Sequence, residues 1–269
     1  LVGSQIIVLR KVSKKLWIGI KKILTIYFNY MCGIVGSWHK NCPTNYQNKF
    51  SVAIDLLYSR GPDDKGEFVE NNDFGNVALG IRRLSIIDLS SSGKQPMQSN
   101  DRRYTIIFNG EIYNFKELKK ELEICGAIFK SNSDTEVLLN AWIYWGKGCL
   151  NKIIGMFAFV IFDKLEQILF CARDHFGMKP FFYFFDKEKF IFASEIKVIN
   201  KLVEKKTKLN WQTSYDYLVF GEYESSEQTF FQNIYQLSPA HLMKFSIKKN
   251  ILSKPERYWW PSIKKKFGN

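Results

Sequence analysis

Residues 157–162, 167–172, 181–185 and 190–193 form four strand-like runs with little between them. Several are apolar at successive rather than alternate positions, so both faces of those strands must be covered. Such strands cannot lie on the wet outside of a sheet, and they demand a layered core. Residues 34–38, 77–82, 104–108 and 241–247 read as further strands, and the run 104–108 is expected to stop in a turn at Asn109-Gly110. Residues 50–58 are helical in pattern and are halted by the Arg-Gly-Pro-Asp-Asp turn at 60–64. Residues 115–125 place Leu118 and Leu122 on one helical face with Gly126 beyond the end. A third helix, 133–145, opens on Ser133-Asp134-Thr135-Glu136, and a fourth, 209–220, ends at Gly221. Strands in consecutive runs, with helices clustered before and after them, predict an α+β domain of two antiparallel sheets covered by helices.

With 46% hydrophobic residues among 269, the chain can bury a sizeable core. Residues 1–30 carry Arg10, Lys11, Lys14, Lys15, Lys21 and Lys22 and no acid, so nearly half of the net charge of +13 sits there. Lysines interrupt that stretch too often for a membrane span, which needs about 20 apolar residues. Asn29, Tyr30 and Met31 are not the small residues that precede secretory cleavage. A basic helix lying on a membrane surface and a translated upstream segment both fit the composition. The expected division is an upstream extension at 1–31, a domain at 32–260, and a basic tail or truncated start of another domain at 261–269. The remaining charge bears on solubility, and no nucleic-acid-binding module or spacing accompanies it. No nucleic-acid or membrane partner is therefore expected. Five cysteines, an odd number without a Cys-x-x-Cys pair, indicate neither a disulfide framework nor a metal site and suit a reducing cytoplasm.

Chemistry concentrates in four places. Cys32, followed by Gly33 and a β-branched run, puts a thiol at the start of a strand. If Met31 is removed, the α-amine of Cys32 lies beside its own thiol, and an amine of pKa roughly 7.7–8.0 can take the thiol proton near neutrality. Asn109 and Gly110 offer a side-chain amide and a backbone N–H to a developing oxyanion. Arg83, at a strand end, can fork onto a carboxylate, and Asp134, at a helix start, can accept from an ammonium. Taken singly, these residues read as a buried cysteine, a tight turn, a structural ion pair and a helix cap. Taken together, they are what hydrolysis of glutamine requires: a nucleophile, two oxyanion donors, a cation for the α-carboxylate and an anion for the α-ammonium.

The segments at 32–36 (CGIVG), 59–64 (SRGPDD), 82–88 (RRLSIID), 108–114 (FNGEIYN) and 133–136 (SDTE) resemble those of class II glutamine amidotransferases. Those at 155–163 (GMFAFVIFD), 172–180 (ARDHFGMKP), 193–197 (ASEIK) and 236–241 (QLSPAH) are similar to the asparagine synthetase branch. The resemblance runs from about Met31 to Trp260. It implies the four-layer αββα sandwich of N-terminal-nucleophile hydrolases, with Cys32 as nucleophile and Asn109 and Gly110 as the oxyanion hole. It also implies glutamine binding by Arg83, Leu84, Ser85, Ile86 and Ile87, by Asn109, Gly110 and Glu111, and by Asp134. The domain itself would need no cofactor or metal. In the family, ammonia travels to a synthetase domain that uses ATP and magnesium to activate aspartate, and a homodimer is compatible with this organisation. The sequence departs from the family at Ile81, where a His is usual, and at Ala240, where a Gly is usual. It holds no SGGxDS-type pyrophosphate loop, so the ATP-dependent half is expected to lie outside these 269 residues. Two other readings stand beside this one: a class II amidotransferase with a sugar-phosphate or phosphoribosyl acceptor, and a non-catalytic remnant that binds a partner.

Overall fold

A computed structural model of the chain describes residues 31–84, 93–204, 207–222 and 226–261. The expectations made for 1–30, for Ser85, Ile86 and Ile87, and for the tail from 262 onward fall outside the described residues. The strands form two antiparallel sheets. The first contains β1 (Gly33–His39), β2 (Asp64–Asn72), β3 (Gly75–Arg83), β8 (Phe182–Phe185), β9 (Lys189–Ala193) and β10 (Ile234–Gln236), in the order β10-β8-β9-β1-β3-β2. The second contains β4 (Met97–Gln98), β5 (Tyr104–Ile112), β6 (Gly155–Asp163), β7 (Ile168–Arg173), β11 (His241–Ser246) and β12 (Ile251–Leu252), in the order β12-β11-β7-β6-β5-β4, with β13 (Glu256–Arg257) pairing β11. Five α-helices are described: α1 (Tyr46–Asp55), α2 (Phe115–Ile124), α3 (Asp134–Trp145), α4 (Ile196–Val203) and α5 (Trp211–Phe220).

The period of two along each strand sorts the core into three layers. Ile34, Trp38, Val77, Leu79, Ala158, Val160, Phe162, Phe190 and Phe192 fill the space between the sheets. Val35, Ala78, Ile191 and Ala193, from the opposite face of the first sheet, pack against Phe50 and Ile54 of α1 and Val198, Ile199 and Leu202 of α4. Phe157, Phe159 and Ile161, from the opposite face of the second sheet, pack against Leu118 and Leu122 of α2 and Val137, Leu138 and Ala141 of α3. The architecture is therefore helix, sheet, sheet, helix, as expected. Each fully buried Phe in the middle layer contributes about 1.5–3 kcal/mol relative to an exposed one, which explains why this layer is so rich in aromatics. Helix α1 comes so close to β3 that a Cβ at Gly80 would lie 2.6 Å from Ile54.

Two local readings are corrected. Asn109-Gly110 does not turn the chain: β5 runs straight through to Ile112, paired with β6 over its whole length. The favourable long ladder overrides the local turn preference. Strand β2 and helix α4 were absent from the sequence reading. The first is only half-buried and rich in Lys, Glu and Asn, so its pattern is weak; the second is only eight residues long.

Candidate active site

Cys32 stands at the entrance to β1, the strand held between β3 and β9. Its neighbour Ile34 is bonded at both main-chain groups by Ser194, whose Oγ accepts from Ile34 N at 3.0 Å and whose N donates to Ile34 O at 2.9 Å. The Cys32 thiol lies against the exit of β3. The Leu84 N–H donates to Sγ at 3.3 Å, and Sγ donates to the Leu84 carbonyl at 3.5 Å. Arg60, buried and paired with Glu195 at 3.6 Å, donates from Nε to the Cys32 carbonyl at 3.2 Å. Burial pushes the thiol pKa up, and the Leu84 N–H and the charges of Arg83 and Lys179 only partly oppose this. The thiol thus needs a base. Among the described residues no imidazole or carboxylate hydrogen-bonds it. His39 lies at the other end of β1, and burial holds its pKa down at about 4.

Strand β5 supplies the next group of residues. The pleat places Asn109 on the inter-sheet face with Ile107, and its side chain is fully buried. Neither its Oδ1 nor its Nδ2 has a hydrogen-bond partner. The N–H of Gly110 points away from β6. Its cross-strand neighbour Phe157 directs both main-chain groups the other way, to Asp174: N donates to Oδ2 at 3.2 Å, and O accepts from Asp174 N at 2.8 Å. On that outer edge the Phe108 N–H donates to Gln95 Oε1 at 2.7 Å and the Ile112 N–H to Asp134 Oδ2 at 3.0 Å. The Gly110 N–H lies between these two, and no acceptor outside the ladder meets it among the described residues. Only glycine fits here, because a Cβ would lie 2.3 Å from Met156 O.

The start of α3 is wired from all sides. Ser133 Oγ accepts from Thr135 N at 3.2 Å, and Thr135 Oγ1 accepts from Gln95 Nε2 at 3.1 Å. Glu136 accepts from the N–H groups of Lys130 and Ser131 at 2.8 and 2.7 Å. Asp134 is buried, and burial raises its pKa to about 6 against the opposing hydrogen bonds from Ile112 and Thr135. Its charge is felt at Cys32, and Glu111 is felt at Asp134. Of the residues expected from sequence, Cys32, Arg83, Leu84, Asn109, Gly110, Glu111 and Asp134 all come to this end of the sandwich; Ser85, Ile86 and Ile87 are outside the described residues.

Three contributors escaped the sequence reading of roles: Arg60, Lys179, and the turn that carries Lys179. Asp174 Oδ1 accepts from the N–H groups of Phe176 and Met178, both at 3.0 Å, while Oδ2 takes those of Phe157 and Lys179. Arg173 donates to the carbonyls of Lys179, Leu237 and Gly177 at 2.7–2.8 Å. The available signal was a lysine set among aromatics (Phe176, Phe181, Phe182), where an exposed cation would be out of place. The Ala240 N–H donates to Asp174 O, and Ala240 has φ 60°, the left-handed conformation that favours the family's glycine.

Residues 31–259 match the family model described as a glutamine amidotransferase domain. The chain is 37% identical over 220 residues to asparagine synthetase [glutamine-hydrolyzing] 3 of Bacillus subtilis, covering 80% of this chain and 35% of that protein. It is 36% identical over 248 residues to the putative asparagine synthetase [glutamine-hydrolyzing] 2 of Methanocaldococcus jannaschii, covering 86% and 46%. The chain thus spans between about a third and a half of the length of these relatives. The solved glutamine phosphoribosylpyrophosphate amidotransferase from B. subtilis, complexed with ADP and GMP, superposes with a TM-score of 0.60 at 19% identity, over 84% of this chain and 49% of that one; the likeness is one of fold.

Proposed function

Because the chain belongs to the glutamine amidotransferase domain family, we propose that it releases ammonia from glutamine with Cys32 as the nucleophile. The observation that carries this reading is the pair of donors without acceptors on β5, the Asn109 side-chain amide and the Gly110 N–H, at the same end of the sandwich as a thiol without a base. Removal of Met31 supplies the base. The thiol proton passes to the α-amine of Cys32, and the sulfur attacks the carbon of the glutamine side-chain amide. The carbonyl electron pair moves to oxygen, where Asn109 Nδ2 and Gly110 N–H hold the oxyanion. Its collapse breaks the C–N bond, and the α-ammonium returns its proton to the departing ammonia. Water then adds to the γ-glutamyl thioester and releases glutamate and the thiol. Arg83, with Leu84, Ser85, Ile86 and Ile87, receives the α-carboxylate, and Asp134 receives the α-ammonium beside Glu111. Losing one oxyanion donor costs about 10²–10³ in rate.

The names of its relatives support the reading that this ammonia serves asparagine synthesis. On that reading a synthetase domain outside this chain, using ATP, magnesium and aspartate, is the partner, and the cytoplasm is the compartment. Among the described residues no carboxylate or imidazole cluster could hold a metal ion, and no step of the glutamine reaction calls for one. The test is glutamate release by a chain that begins at Cys32. Cys32→Ala should abolish release, whereas Cys42→Ala, exposed in a loop, should leave it intact. A form that retains residues 1–31 should be inactive, because a peptide nitrogen has no basic lone pair. Retained activity in Cys32→Ala, or full activity with 1–31 attached, would sink the mechanism.

A further inference from the structure

Lys179 is an ammonium-bearing side chain only 2% exposed, and no carboxylate lies within ion-pair distance of it among the described residues. Buried lysines are ordinarily paired. This one instead turns its Nζ to the thioether sulfur of Met31, the residue that must leave before Cys32 can react. Its position is not accidental. Its own N–H is held by Asp174, its carbonyl by Arg173, and Pro180 follows, so the backbone behind the side chain is fixed on both sides. The side chain therefore lies against Met31 and within electrostatic reach of the Cys32 thiol.

We propose that Lys179 is a positioning residue for the nucleophile's base: once Met31 is gone, its ammonium holds the adjacent α-amine of Cys32 in the neutral, proton-accepting form. Two cations at close range cannot both keep their protons cheaply, and the weaker base yields first. An ordinary lysine holds its proton to about 10.4 and an α-amine to about 7.7–8.0, so the α-amine is the one to lose it. The charged neighbours set the same order. Burial lowers the Lys179 pKa and the Arg60 guanidinium adds to that, while Glu111, Cys32 and Asp174 oppose the shift and favour the charged lysine. Arg83 adds a further positive charge beside Cys32 and Asp134 a negative one, with Glu195 engaged by Arg60. Without such a device only roughly a tenth to a sixth of an α-amine would be neutral at pH 7 and able to act as the base, while burial keeps the thiol itself protonated.

The inference rests on the proposed glutaminase reading, and the experiment separates the two. Chains processed to begin at Cys32 are compared as wild type, Lys179→Met and Lys179→Arg. The pH profile of kcat/KM for glutamine is recorded, together with an NMR titration of the ¹⁵N-labelled Cys32 α-amine that needs no turnover. Lys179→Met should move the acid limb and the amine titration up together by about one pH unit, which is close to a tenfold loss at pH 6.5 that vanishes near pH 9. Lys179→Arg should restore both. An unmoved amine titration in a folded Lys179→Met chain overturns the proposal. So does a raised KM with an unchanged acid limb, which would make Lys179 a receptor for the substrate carboxylate. If the wild-type chain releases no glutamate, the glutaminase reading fails on its own, and the amine titration still decides the role of Lys179.

Discussion

The two flanks of strand β6 at its first residues treat buried polar groups in opposite ways. On one side, the turn at 173–179 satisfies everything: Asp174 takes four N–H groups on two oxygens, and Arg173 reaches three carbonyls. On the other side, Asn109 buries an amide with neither atom paired, and among the described residues the Gly110 N–H has no acceptor off the ladder. A buried polar atom left without a partner costs roughly 1–3 kcal/mol, so folds rarely leave them together. On the proposed reading the first flank is frame and the second is binding site: the frame is satisfied within the protein, and the Asn109 amide and Gly110 N–H are the donors a substrate would meet.

That contrast can be attacked from both sides. The largest effect should come from the frame. Asp174→Ala frees four N–H groups at once and should lower stability by about 3–5 kcal/mol in urea unfolding; a loss under 1 kcal/mol would erase the distinction. Asn109→Ala should do the reverse. Glutamate release should fall about 10²–10³-fold, roughly 3–4 kcal/mol of barrier, while the unfolding midpoint stays or rises, because an unpaired amide is removed. Asp134→Asn should sharpen the same point through pH. The native carboxyl, at about 6, binds its proton more tightly than an unfolded aspartate near 4. Stability of the wild-type protein therefore falls as pH rises from about 4 through 6, and at pH 7 roughly 2–3 kcal/mol has been given up. The asparagine variant, still able to accept from Ile112, should be more stable at pH 7, should lack that slope, and should bind glutamine more weakly. A flat wild-type stability curve between pH 4 and 6 would contradict this. The smallest effect belongs to a pair that is satisfied but wet. Lys49 and Glu204 meet at 2.5 Å with both side chains close to half exposed, and Lys49→Met should change stability by less than about 1 kcal/mol.

These outcomes bear on how much of the molecule its sequence disclosed. The inner strands were readable because apolar residues on both faces leave them one place to go: Phe157, Phe159 and Ile161 reach one layer, Ala158, Val160 and Phe162 the other. The start of α3 was readable because Ser133 caps it chemically. Asn109-Gly110 was misread as a turn because the dipeptide's local preference is visible in sequence, whereas a nine-residue ladder with β6 is not. Strand β2, polar and half-buried, owes its place to pairing with β3 and leaves little trace in composition. At the site, the motif residues could be nominated by resemblance. The buried lysine could not, because its meaning lies in what it touches, and Met31 is 148 residues away along the chain.

The pairing of β1 has a consequence for how such a chain can vary in length. Cys32 is one residue ahead of a strand locked in register to Arg82 on one neighbour and to Ala193 on the other, with Ser194 bonded to Ile34 beyond them. One residue inserted between Cys32 and Trp38 would turn the thiol to the opposite face, and two would carry it about 7 Å along the strand axis. Neither error can be absorbed by partial adjustment, because two strands would have to slip in concert. The hairpin between Asn72 and Gly75, at the other end of the same sheet, is exposed and flanked by only one strand pair, its outside anchors being Trp38 Nε1 on the Phe74 carbonyl at 3.0 Å and the Asn72 amide on Gln167 Oε1 at 2.8 Å. Insertions and deletions in homologous chains should therefore accumulate at that hairpin and be absent from the segment 32–39, whatever the substitutions around them.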